Sequence, residues 1–284
     1  MFRWLAGLGA RDYEVADVLS RVTQQQWDQT FRLLPFLAGL GPDELDRLRH
    51  KTAWFLASKR FSAAHELELT DEIMLSIAVQ ASVPILNLDT TVYEGWTQII
   101  VYPGAFLVPR TEMDEAGVIH EYIAPASGEA WDGGPVILSW DDVEHDAQHL
   151  ANVVIHEFAH KLDLYNGQAD GIPVKPGKQS AGRVSLREWR LALRNALEMF
   201  RDQIDQLEQS VPSGIDSMSG LVQPWYDTLP MDPYAATDEA EFFAVSSEVF
   251  FVDPLRLESD FTQWYFCLSQ YYEQDPATRF RSAG

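Results

Sequence analysis

The sequence predicts an α+β fold: a mostly helical scaffold with a small β-sheet placed just before a helix that carries His156-Glu157-Phe158-Ala159-His160. Three observations predict it. Apolar residues recur at helical spacing through both ends of the chain. Short alternating or continuous apolar runs bounded by Gly and Pro cluster between residues 98 and 140. The pentad itself follows small and apolar residues, Ala151, Val153, Val154 and Ile155.

From the N-terminus, residues 1–20 are expected to form a tail, because the apolar run Phe2 to Leu8 is brief and gives way to Arg11, Asp12 and Glu14. That run is also too short for a secretory core. Residues 21–284 are then expected to be a single domain whose N-terminal part, about 21–90, is helical. Residues 24–62 read as helical, with Gly41-Pro42-Asp43-Glu44 opening a segment that carries Leu45, Leu48, Trp54 and Phe55. A further helix starts near Thr70-Asp71-Glu72 and continues through Ile73, Leu75 and Ile77. Strands are predicted at 98–102, 104–108, 120–123 and 135–140, where β-branched and aromatic residues concentrate.

The helix that carries the pentad is predicted over 146–163, a stretch with no Gly or Pro inside. A Gly- and Pro-containing loop, 166–183, reads as a mobile surface insertion near the mouth of a cleft. Helices are predicted at 186–209, 237–252 and 260–273.

The 284 residues carry a formal charge of −22, which disfavours nucleic acid and anionic membranes as direct partners, since both call for a basic surface. Any link to gene control should therefore run through a protein. No stretch approaches the roughly 18 to 20 apolar residues of a membrane span. The lone cysteine, Cys267, allows no internal disulfide, so a reducing compartment and a cytoplasmic location are expected. The acidic surface favours a monomer.

On a helix, His156 and His160 project from one face and can share a metal ion, while Glu157 reaches a water on that ion. This pattern points to zinc-assisted hydrolysis, most often of a peptide bond, with one zinc per chain. The competing explanation is a pair of buried, hydrogen-bonded histidines. His145 and His149 form a rival pair, but His149 is about 10 Å from His156 along an unbroken helix, so both are read as surface or packing residues. A catalytic zinc usually takes three protein ligands and keeps one position for water. No histidine follows the pentad, so the third ligand is expected to be acidic. Glu239, Glu241 and Glu248 compete on the helix at 237–252. Glu241 and Glu248 share a face with Ala244 and Val245, whereas Glu239 suits the helix dipole at the first turn. Asp163 could accept a ring N–H from a zinc histidine, or be simply a polar residue at the C-terminal end of the helix.

The stretch from His156 to Gly167, together with Asp232-Pro233-Tyr234-Ala235-Ala236-Thr237-Asp238-Glu239-Ala240-Glu241-Phe242-Phe243-Ala244, strongly resembles the Mlc titration factor A family of bacterial zinc peptidases. The resemblance spans most of the chain. That family in turn resembles the catalytic domain of anthrax lethal factor, in which a tyrosine seven residues before the ligand glutamate assists catalysis. Tyr234 and Glu241 have that spacing.

The resemblance implies a zincin-like metallopeptidase with zinc on His156, His160 and Glu241, Glu157 as general base and Tyr234 as donor to the developing oxyanion. It implies a peptide substrate, cleaved in an aminopeptidase-like or short-peptide endopeptidase mode, and a glucose-responsive, Mlc-like transcriptional repressor as a partner. The competing function is a non-catalytic protein that titrates the repressor, with a vestigial or structural zinc site.

Overall fold

The computed structural model describes residues 12–113, 119–146, 151–175, 184–212 and 222–283. In chain order the helices are α1 (Asp12–Arg21), α2 (Gln24–Arg32), α3 (Pro42–Ser58), α4 (Asp71–Ser82), α5 (Trp140–Asp146), α6 (Val153–Asp163), α7 (Leu186–Ser210), α8 (Gln223–Tyr226), α9 (Glu239–Val252), α10 (Pro254–Asp260), α11 (Thr262–Tyr272) and α12 (Pro276–Ala283). The strands are β1 (Arg60–Ala63), β2 (Gln98–Tyr102), β3 (Phe106–Met113), β4 (Ile119–Ala126), β5 (Gly128–Ala130) and β6 (Val136–Ser139).

One sheet has the order β1-β2-β6-β5, with β1, β2 and β6 parallel and β5 antiparallel to β6. Parallel neighbours need a crossover, and α4 supplies the one between β1 and β2. The inner strands bury Ile99, Val101, Val136 and Leu138 completely. β3 and β4 pair with each other as a separate antiparallel ribbon, from Phe106 opposite Ala126 to Met113 opposite Ile119. This α+β arrangement is the predicted fold class.

The helices are built from local signals that the sequence carries. Thr23 and Gln26 form a capping box at α2, and Ser185 and Glu188 form one at α7. Pro42 occupies the first turn of α3. In α6, Val154, Ile155, Phe158, Ala159 and Leu162 are fully buried. Phe158 meets Phe55, Tyr93 and Trp96 at ring separations of 5.3, 5.4 and 5.7 Å. α9 is apolar almost all round and lies deep, against α6, α7, α10 and α11. Its Phe242 packs on Trp264, and Phe243 and Phe250 stack on Tyr272. Two helices set in the core therefore carry the polar residues of the site.

Several boundaries differ from expectation. Residues 12–21 form a helix that packs on α3 with Val18 fully buried, so this part of the expected tail belongs to the core. The helical run expected to reach residue 62 stops at Ser58, and Arg60–Ala63 become β1. Pairing with β2 overrides local helix preference there. The pentad helix starts at Val153, not 146: Asn152 is extended and its Oδ1 accepts the Ile155 N–H at 2.8 Å as an N-cap. Trp140, expected to end a strand, starts α5.

The loop after the pentad is tied down where it is described. Gly171 and Ile172 donate N–H bonds to Asp163, and Trp189 donates to the Gly171 carbonyl. Lys175 is buried, 2.5 Å from Glu273. Residues 176–183 lie outside the described residues, as does His149; of His145, only the backbone is described.

Candidate metal centre

α6 presents His156 and His160 one turn apart, and α9 crosses it so that Glu241 faces both. The two Nε2 atoms are 3.1 Å apart, and Glu241 Oε2 lies 3.2 Å from His156 Nε2 and 3.3 Å from His160 Nε2. Glu241 Oε2 is buried and has no hydrogen-bond partner. Three ligand atoms thus converge on one point. A tetrahedron drawn at ~2.0 Å around a central ion has an edge of about 3.3 Å, so this donor set fits zinc. Among the described residues these three form the one group of His, Cys, Asp and Glu close enough to hold a metal ion.

The other nitrogen of His156 is held from α9 as well. Its Nδ1 is 2.7 Å from Glu248 Oε1, and Glu248 Oε2 accepts the Asn152 N–H at 2.6 Å. Asn152 Nδ2 in turn donates to Gln80 Oε1 of α4 at 2.7 Å. A proton on Nδ1 leaves the Nε2 lone pair facing Glu241 and His160. Glu248, a rival in sequence for the place now facing both Nε2 atoms, therefore stands behind His156. The two glutamates are seven residues apart and take opposite sides of one imidazole. Burial opposes a charge on His156, but Glu241 and then Glu248 more than offset it and hold its pKa well above the usual histidine value. For Glu241 burial acts upward, yet its contacts with His156 and His160 draw its pKa far below the carboxylate range.

Glu157 is buried between α6 and β5, and burial raises its pKa, with His156 and His160 pulling the other way. Tyr234 sits on a 3-10 turn, Pro233–Ala236, where Asp232 accepts its N–H at 2.8 Å. Its hydroxyl donates to Glu241 Oε1 at 3.1 Å, and its ring centroid is 6.3 Å from that of His156. Arg201 of α7 donates to the carbonyls of Ala236 and Thr237 and braces the joint between this turn and α9. Asp238 caps α9 by accepting the N–H groups of Ala240 and Glu241, both at 2.9 Å. Glu239 pairs with Arg194, away from the cluster.

Asp163 lies at the C-terminal end of α6, and its two oxygens accept N–H bonds from Gly171 at 2.7 Å and Ile172 at 2.8 Å. Burial pushes its pKa up to about 7, with the Gly171 N–H drawing it back. It fastens the following loop to the end of α6. Sequence reasoning also passed over Asn152, Gln80 and Arg201. Only Asn152 had a readable signal, as an N-cap residue directly before Val153.

An α+β fold with paired histidines one helix turn apart, an intervening glutamate and a carboxylate from a second buried helix defines the class, a zincin-like protein of the metallopeptidase type. The chain belongs to the glucose-regulated metallo-peptidase M90 family, whose model matches residues 11–273. It is 35% identical over 263 residues to Mlc titration factor A of Pectobacterium atrosepticum, covering 92% of this chain and 90% of that protein. It is also 35% identical over 272 residues to Mlc titration factor A of Klebsiella pneumoniae (strain 342), covering 95% and 93%. The protein of the same name from Escherichia fergusonii is 34% identical over 258 residues, covering 90% and 88%.

Proposed function

We propose that this protein is a zinc-dependent peptidase, with His156, His160 and Glu241 as ligands, Glu157 as general base and Tyr234 as oxyanion donor. The observation that carries the reading is the approach of His156 Nε2, His160 Nε2 and the otherwise unpartnered Glu241 Oε2 to 3.1–3.3 Å of one another. Zinc bound there supplies Lewis acidity and lowers the pKa of a coordinated water toward about 7. Glu157 takes the proton of the attacking water and delivers it to the leaving amine. Its buried position suits it to hold a proton between these steps. Tyr234 turns its hydroxyl from Glu241 to the carbonyl oxygen as negative charge builds there. The terminal strand β5, beside α6, is where the main chain of an extended peptide would pair.

The substrates we propose are short or unfolded peptides, cut in an aminopeptidase-like or short-endopeptidase mode by a monomer in the cytoplasm. Among the described residues no helix is long and apolar enough to cross a membrane. The test is cleavage of a broad peptide library by protein with one zinc per chain, beside Glu157→Gln at equal zinc content. Cleavage lost in the variant supports the reading. A wild-type protein that cuts nothing sinks it.

A second reading is favoured by the name of the relatives, Mlc titration factor A. In it the chain binds an Mlc-like repressor, with or without catalysis. It predicts that Glu157→Gln still relieves repression in a reporter strain; loss of relief together with loss of cleavage would leave the peptidase reading alone.

A further inference from the structure

We infer that Gly128 is a positioning residue for Glu157: the backbone of β5 sets where the carboxylate of the proposed general base can lie, and only glycine leaves room for it. This rests on the reading of Glu157 given above. A Cβ at residue 128 would fall 2.3 Å from Glu157 Oε1, 2.6 Å from its Cγ and 2.7 Å from its Cδ. Gly128 does not have the positive φ that would itself call for glycine. Its backbone suits any residue, so the space taken by the Glu157 side chain is what excludes one.

The contact is held from both sides. Glu157 is 4% exposed, so its carboxylate lies in a buried space against β5. One helical turn further on, Lys161 donates to the carbonyls of Trp131 at 2.5 Å and Gly134 at 2.9 Å, in the turn that joins β5 to β6. Pairing of Gly128 with Leu138 and of Ala130 with Val136 holds one edge of the strand to β6. β5 is therefore fastened to α6 and to β6, and Glu157 rests against its first residue.

Gly128→Ala tests the inference. The carboxylate is expected to swing off β5 in a crystal structure of the variant, with zinc content unchanged. Displacement on the order of 1 Å at a reacting group can cost about 100-fold in rate, so kcat should fall by one to two orders of magnitude, with KM little altered. In a Glu157→Gln background the same substitution should cost no further activity, because the group it displaces is already disabled.

A structure with Glu157 unmoved, or an equal loss in both backgrounds, overturns the inference. If Gly128→Ala does not fold, Gly128→Ala combined with Glu157→Ala should, since the new methyl then enters the space the glutamate leaves; a double variant that also fails to fold overturns it too. Should the wild-type protein cleave no peptide, the peptidase reading fails, and the position of Glu157 in the variant structure still decides the contact.

Discussion

Glu248 Oε1 stands 2.7 Å from His156 Nδ1, on the side of the ring away from Glu241. One imidazole is thus gripped between two glutamates of the same helix. Each has a different task. Glu241 aims its oxygen at the point the two Nε2 atoms share, and Glu248 fixes the ring's tautomer and tilt.

Glu248→Gln should weaken zinc binding by about 10- to 100-fold, the usual effect of losing a carboxylate behind a metal-bound histidine. Glu241→Ala should weaken it more. Competition with a calibrated chelator measures both. Tight zinc in Glu241→Ala with loss of zinc in Glu248→Gln would exchange the two roles.

Tyr234→Phe removes the hydroxyl that lies 3.1 Å from Glu241 Oε1. Loss of an oxyanion donor costs about 10²–10³ in kcat. Zinc content and KM should hardly change. A variant with wild-type kcat would reduce Tyr234 to a packing residue.

Asp163→Ala should destabilise the fold by about 1–3 kcal/mol, because the Gly171 N–H loses its acceptor and the Ile172 N–H keeps only Asp170 Oδ1, at 3.2 Å. Denaturant unfolding reads this directly. Zinc affinity should be unchanged in the folded variant, in contrast to Glu248→Gln. A tenfold or greater loss of zinc affinity would return Asp163 to the metal site.

Lys59 is buried with its ammonium bonded to the carbonyls of Tyr93 and Trp96 and 3.7 Å from the centre of the Trp96 ring. Burial, and next the charge of Lys161, push its pKa down to about 7 from 10.5. Between those values the unfolded chain binds a proton that the folded one does not, so stability rises with pH across this window; it is lost as pH falls from 10.5, and the loss is complete just below about 7. The stability of the wild type relative to Lys59→Met should grow by about 1–2 kcal/mol from roughly pH 7 to 8.5. Urea midpoints at several pH values provide the check; a flat difference would mean that the carbonyls and the indole ring keep the amine charged.

Much of the scaffold was readable because its signals are local. The span of α7 follows from its Ser185–Glu188 box and apolar spacing, and β2 and β6 follow from compact runs of β-branched residues. β5 was not readable, since Gly-Glu-Ala carries no strand preference and forms a strand only because β6 lies beside it. β1 was masked by the helix before it. The late start of α6 depends on Asn152 reaching Gln80 and Glu248, residues 72 and 96 positions away.

By itself the sequence determined the helix-borne pair His156 and His160 with Glu157 between them, because a four-residue spacing on a helix has one geometric outcome. It also limited the acidic partner on the later helix to a few glutamates. Which carboxylate faces the two Nε2 atoms, which stands behind His156, and that Asp163 serves a loop were decided only by the packing of α6 against α9 and of the 166–175 loop against both. Those choices depend on the angle and depth at which separate elements meet, and the burial of many side chains sets that angle together.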